Sequence, residues 1–108
     1  MTALGAAADG GLLAEQRLAR SGRAAERLAA REAAVELCLV ATGCALGRAL
    51  IHGEDYATSR EHLRRMLVQF GERETIVTVR PCSRAEADAA ITRACCAFVS
   101  WAALRGGK

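Results

Sequence analysis

Few side chains in this 108-residue chain could do chemistry: five cysteines, two histidines and a set of regularly spaced arginines. The cysteines are Cys38, Cys44, Cys82, Cys95 and Cys96. Their number is odd and no CxxC spacing occurs, which argues against a disulfide framework and against a zinc knuckle. Read this way they are reduced, partly buried thiols that behave as small hydrophobes. Cys95 and Cys96 are adjacent, so on a helix they diverge, and nothing in the sequence marks a base beside either. His52 and His62 have Glu54, Asp55 and Glu61 nearby but lack a helical metal-ligand spacing such as HExxH. His52 reads instead as a residue closing a helix, where imidazole meets the negative end of the dipole. No phosphate-binding glycine loop and no recognisable carboxylate pair is present. The sequence therefore predicts no catalytic residue, no metal, no cofactor and no enzyme.

The arginines are more informative. Arg17, Arg20, Arg23, Arg27 and Arg31 recur at intervals of three and four, forming one stripe on a helix. Such a stripe is either a solvated face or a surface for an acidic protein partner. No aromatic platform accompanies it, so nucleic acid is not expected. The formal charge of +3 is mild, and neither nucleic acid nor an anionic membrane is required by it.

These groups depend on helices for their placement. Ala24–Ile51 lacks proline, and from Leu37 to Leu46 only Thr42 and Gly43 are not apolar. A run of that kind is predicted to be buried on nearly every side. Small residues recur four apart at Ala25, Ala29 and Ala33 and again at Gly43 and Gly47, the spacing that lets two helix backbones approach. The expected contact elements are Leu39, Gly43, Leu46 and Gly47, with dimerisation through this central helix. The largely apolar run between Glu36 and Arg48 is short of the ~20 residues that span a bilayer. With no signal-peptide pattern at the N-terminus, the reading is a cytoplasmic protein without a membrane span.

Residues 1–11 are small and glycine-containing and are expected to be disordered, with one helical domain over 12–105 and a flexible tail at 106–108. The tail sequence Leu104-Arg105-Gly106-Gly107 matches a ubiquitin end, but Lys108 follows and no β-grasp pattern precedes it. The long helix should close at His52-Gly53, with a weak point at Ser21-Gly22. A capping box at Thr58–Glu61 opens a second helix whose apolar face is Leu63, Met66, Leu67 and Phe70, and the short connection implies a helical hairpin. A second box at Ser83–Glu86 opens the last helix, with Ile91, Ala94, Cys95, Phe98, Trp101 and Ala102 on one side. Between them Thr75–Arg80 is almost wholly β-branched and stops at Pro81. It reads as the one short strand of a mainly α fold. A single strand cannot pair its own backbone, so Ile76, Val77 and Val79 join the expected partner-binding residues. Antiparallel pairing with a second copy is the simplest arrangement. Thr75, Val77 and Val79 would share one strand face, with Ile76 and Thr78 on the other.

The order of elements resembles the stator, or peripheral-stalk, family of the flagellar and type III secretion ATPase (FliH/YscL-type), related to the E subunit of rotary V-type ATPases. The resemblance runs over roughly 12–85 and is carried best by Leu46-Gly47-Arg48 and by the strand Ile76-Val77-Thr78-Val79-Arg80 entering Pro81. Arg64 and Arg65 follow Leu63 in the manner of the family's next helix. Members are longer, with further strands after the proline helix that this chain lacks. The resemblance implies a non-enzymatic stator or scaffold that binds and regulates an export ATPase. A small helical dimeric adaptor or chaperone-like protein is the alternative, and a small redox or metal protein using the cysteines is a third reading.

Overall fold

A computed structural model describes residues 3–73 and 75–106, with side chains over 22–73 and 75–104. Three helices form: α1 over Ala3–His52, α2 over Ala57–Gln69 and α3 over Arg84–Gly106. The fold is mainly α, as composition and periodicity predict. Helix α1 starts at Ala3 rather than near Leu12, so residues 3–11, expected to precede the helix, belong to it. Alanine has the strongest helix propensity, and a helical glycine costs only ~1 kcal/mol, so neither Gly10-Gly11 nor Gly22 interrupts the run. The other residues assigned to a tail, 107 and 108, lie outside the described residues.

Each helix end has a local cause. Gly53 takes φ 66° and donates its N–H to the Ala49 carbonyl, while the Glu54 N–H reaches back to Arg48 O. Gly71 takes φ 91° and closes α2 in the same way, with Glu72 N–H bound to Leu67 O. Both positions need the left-handed backbone that glycine adopts without steric cost. The Ser83 box forms as predicted: Glu86 N–H donates to Ser83 Oγ at 3.1 Å, and Ser83 N–H donates to Glu86 Oε1 at 2.9 Å. These bonds hold the Glu86 carboxyl below its ordinary pKa. The Thr58 box does not form. Helix α2 begins two residues earlier, at Ala57, whose N–H donates to Asp55 Oδ1 at 3.0 Å. Glu61 turns outward to Arg64 and Arg65.

Helix α2 doubles back along α1, as the short connection implies. At its far end Arg31 Nε donates to the Phe70 carbonyl at 2.9 Å. Helix α3 begins again beside the C-terminal end of α1, where Arg84 lies 3.3 Å from Glu54 and the Tyr56 hydroxyl lies 3.2 Å from Asp88. Both α2 and α3 therefore run opposite to α1. The connection between them must travel back from the level of residue 31 to that of residue 54, about 35 Å of helix at ~1.5 Å per residue. Residues 70–83 can span about 46 Å when extended. This requirement explains the β-branched segment. Thr75–Arg80 is an extended strap along α1, and among the described residues no β-strand is assigned. β-branched residues suit any extended chain, and among the described residues no second extended segment forms a ladder with it.

The core is thin because alanine builds much of it. Ala34, Cys38, Ala41 and Ala45 on α1 and Ala87, Ala90 and Ala94 on α3 are buried. Every residue from Leu37 to Ala49 is buried or half-buried, whereas Leu50 and Ile51 are exposed. The predicted face of α2 is confirmed: Leu63, Met66, Leu67 and Phe70 are all buried. Larger side chains meet at one end only, where Phe70 packs edge-on against Trp101, centroids 4.6 Å apart, and against Phe98 at 5.5 Å. From Gly22 to Ala29 the residues of α1 are exposed apart from half-buried Arg27.

By length and composition, residues 22–52 and 84–104 are each long and apolar enough to cross a bilayer. The eleven-residue run between Glu36 and Arg48 does not anticipate this. Within the fold 44% of the most apolar window is buried in the first stretch and 22% in the second.

Leu63 is fully buried in the core. Leu63→Ala should therefore cost about 2–5 kcal/mol in chemical denaturation. A loss under 1 kcal/mol would show that α2 is not seated on α1 as described.

Candidate interaction surface

The glycine pair of α1 does not face a second helix. It faces the strap. A Cβ on Gly43 would collide with the Thr78 carbonyl oxygen, and one on Gly47 with the carbonyl of Arg80. The spacing has a simple basis. Four helical residues advance ~6.0 Å and two extended residues ~6.6 Å, so a GxxxG on a helix stays in step with alternate residues of a strap running alongside it. Gly43 O also accepts the Arg80 N–H at 3.0 Å. One step earlier in the same series stands Leu39, which keeps its side chain. There a shallow hollow of about 220 Å³ opens, lined by Glu36, Leu39, Val40, Ile76, Thr78 and Arg80.

Successive peptide groups of an extended chain point to opposite edges. The even-numbered groups at Thr78 and Arg80 meet α1, so those of Thr75, Val77 and Val79 are directed away from it. Among the described residues none of these three takes part in a backbone hydrogen bond. The side chains stay largely in solvent: Ile76 is 96% exposed and Val79 41% exposed, and only Val77 is half-buried. The surface is thus an open backbone edge with apolar side chains above it.

Two further links hold the strap's end. Cys44 and Cys82 form a disulfide with Cα atoms 5.5 Å apart, within the span a disulfide bridges. This corrects the reading of all five cysteines as reduced. The odd count is accommodated because Cys38, Cys95 and Cys96 stay free. Arg48 Nη1 donates to the Cys82 carbonyl at 3.2 Å, and the same guanidinium grips Glu54 with its Nε and Nη2. Arg84 adds a second cation on Glu54. Bonding to Arg48, then to Arg84, holds the Glu54 carboxyl at about 2, against the opposing pull of its partial burial. Arg48 is correspondingly raised. One carboxylate thus ties together the end of α1, the start of α3 and, through Arg48, the strap.

The predicted contact residues separate in space. Leu39 and Leu46 are half-buried, and Gly43 and Gly47 lie under the strap. Ile76, Val77 and Val79 belong to the strap itself. In the arginine stripe, the side chains of Arg17 and Arg20 lie outside the described residues. Arg23 is exposed and Arg27 half-buried. Arg31 is engaged within the fold, bound to Phe70 O and, through Nη2, to Glu72 at 3.1 Å. The sequence reading missed Cys44, Cys82 and Glu54, and it missed the roles of Arg48 and Arg31. The one signal available was the match between glycines four apart and strap residues two apart. That signal becomes visible only once the strap is known to run parallel to α1.

Cys38 is buried, and desolvation followed by the neighbouring Cys95 pushes its thiol up to about 11. A thiol held protonated in this way is a weak nucleophile. Among the described residues no group of three or more His, Cys, Asp or Glu side chains could hold a metal ion.

Two predictions follow from the seat and the clamp. Gly47→Leu should lose about 1–3 kcal/mol, because the added side chain must displace strap backbone. Gly22→Ala, where a Cβ meets nothing within 4 Å, should gain up to ~1 kcal/mol. Equal effects of the two in thermal denaturation would remove the strap's seat. Because the folded-state pKa of Glu54 lies below its unfolded value, its contribution is present above about pH 4.5 and is lost as pH falls toward about 2. Melting temperature should drop across that interval, and Glu54→Gln should lower it at pH 6 while flattening the acid slope.

No protein-family model, no curated protein and no solved structure matches the chain significantly.

Proposed function

We propose that this chain is a non-enzymatic scaffold subunit of the stator type, homodimeric and cytoplasmic, which binds and regulates an ATPase of the type III or flagellar export class. The observation that carries the scaffold reading is the open edge at Thr75, Val77 and Val79 beneath exposed Ile76. Such an edge is a template for another strand, and natural proteins usually block one with lysine, an internal proline or a bulge. Here Pro81 comes only after the edge ends. The partner class comes from the sequence resemblance in Leu46-Gly47-Arg48 and in the strap entering Pro81.

The dimer contact differs from the one expected of the central helix, because the chain's own strap occupies the Gly43 and Gly47 face. Its place moves to the strap's free edge. Antiparallel pairing about a two-fold axis at Val77 sets Val77 against its own copy and Thr75 against Val79. Each of the three residue pairs exchanges two backbone hydrogen bonds. The short strand of the sequence reading then forms between protomers. The arginine stripe on α1, from Arg17 to Arg27, is the surface offered to the acidic face of the ATPase. Neither a membrane span nor nucleic acid has a part in this reading.

Sedimentation of the wild type should show a dimer, and Val77→Pro, which removes an edge donor, should yield a monomer with an unchanged melting temperature. A wild-type monomer at high concentration would overturn the dimer. Binding to a purified export ATPase should weaken with added salt. Reversal of Arg20, Arg23 and Arg27 to Glu should slow association and abolish that salt dependence, with ~0–1 kcal/mol change in stability per residue. If the ATPase does not bind but client peptides of extended, apolar sequence do, the adaptor reading takes its place.

A further inference from the structure

The geometry points to the Cys44–Cys82 disulfide as a reducible latch that decides whether the strap stays seated on α1. The bond joins a buried position of the helix to the residue just beyond Pro81, across a sequence separation of 38. Little else retains this stretch. The side chains of Thr75, Ile76, Thr78, Val79, Arg80 and Pro81 are exposed, so apolar burial holds the strap weakly. Its other fastenings are the Arg80 N–H bond to Gly43 O and the Arg48 bond to Cys82 O. Both need the strap within hydrogen-bonding distance of α1, a distance the disulfide enforces.

The two sulfurs differ in access. Cys44 is 4% exposed, whereas Cys82 is half-buried, so an external thiolate reaches Cys82 Sγ first. Attack forms a mixed disulfide there, and Cys44 leaves as thiolate and takes a proton. The second thiol of an external dithiol then resolves the mixed disulfide and frees Cys82. Two electrons and two protons pass to the protein, and the dithiol becomes a cyclic disulfide. Exchange with Cys38 on the same helix does not compete, because that thiol is buried and held protonated at neutral pH. Release uncovers the Gly43 and Gly47 backbone and frees both edges of the strap. Oxidation by a small-molecule disulfide reverses the step.

As regulation of the strap's edge, the latch rests on the scaffold reading, but its mechanical part can be read in the isolated chain. The experiment is amide exchange of the full chain with and without dithiothreitol, alongside alkylation mapping of each cysteine. Reduction should speed exchange at Arg80, the strap amide bonded to Gly43 O, at least about tenfold and leave Leu63–Phe70 unchanged. Cys82→Ser without reductant should reproduce this pattern, and oxidised glutathione should restore protection in the wild type. The latch is overturned by any of three results: unchanged Arg80 exchange once Cys44 and Cys82 are both alkylated; equal acceleration throughout α2, which makes the bond a global staple; or full alkylation of both residues before reduction. Sedimentation of the same samples separates the two proposals. Faster strap exchange in a protein that is monomeric in both redox states supports the latch and counts against the scaffold dimer.

Discussion

An extended chain can lie against the backbone of a helix only where the helix presents no side chains. Gly43 and Gly47 meet that condition, and the rest of the arrangement depends on it. With a Cβ at either position the strap could not bring the Thr78 and Arg80 carbonyls to the helix. Residue 82 would then stand too far from Cys44 for a disulfide, and Arg48 would lose the Cys82 carbonyl. The need for a strap comes in turn from topology. Two helices that both run opposite to α1 can be joined only by a connection that retraces its length. The fold therefore combines a helical core with one length of extended backbone whose second edge is unused.

Electrostatics reinforces this at the opposite end from the aromatic cluster. Glu54 follows Gly53, the residue that turns the chain out of α1, and so sits beside the Arg48 side chain on the helix's last turns. Arg84 enters at the first turn of α3. The carboxylate is only partly exposed, which strengthens its charge-assisted bonds relative to those of exposed Glu61 with Arg64 and Arg65. Arg31 plays a matching part at the other end of α2, satisfying the Phe70 carbonyl where the helix stops. Two arginines of otherwise unremarked type thus serve as fasteners.

A core made largely of alanine gains little from burial per residue but lets α1 and α3 approach closely. The bulk of Phe70, Phe98 and Trp101 is concentrated at one end, the disulfide and the Arg48–Glu54–Arg84 cluster at the other. Cross-linking and charge thus stand in for apolar volume where the helices offer none.

The sequence by itself determined what depends on neighbours within a few residues. Leu63, Met66, Leu67 and Phe70 announce an amphipathic helix, Ser83 and Glu86 cap each other, and Gly53 and Gly71 end their helices, because period and capping act over one or two turns. Extended conformation at Thr75–Arg80 was legible for the same reason, since β-branched crowding is local. The partner of that segment was not. A GxxxG reads equally as a seat for a helix or for a strap, and only the parallel course of residues 75–80 along α1 selects the strap. Thr58 and Glu61 show the converse: a well-formed capping sequence gives way when the helix begins two residues earlier, where Asp55 holds the Ala57 N–H, and Arg64 and Arg65 draw Glu61 outward. The pairing of Cys44 with Cys82 and the convergence of Arg48 and Arg84 on Glu54 join residues up to 38 positions apart. Such contacts are fixed by how the elements pack, and no local pattern encodes them.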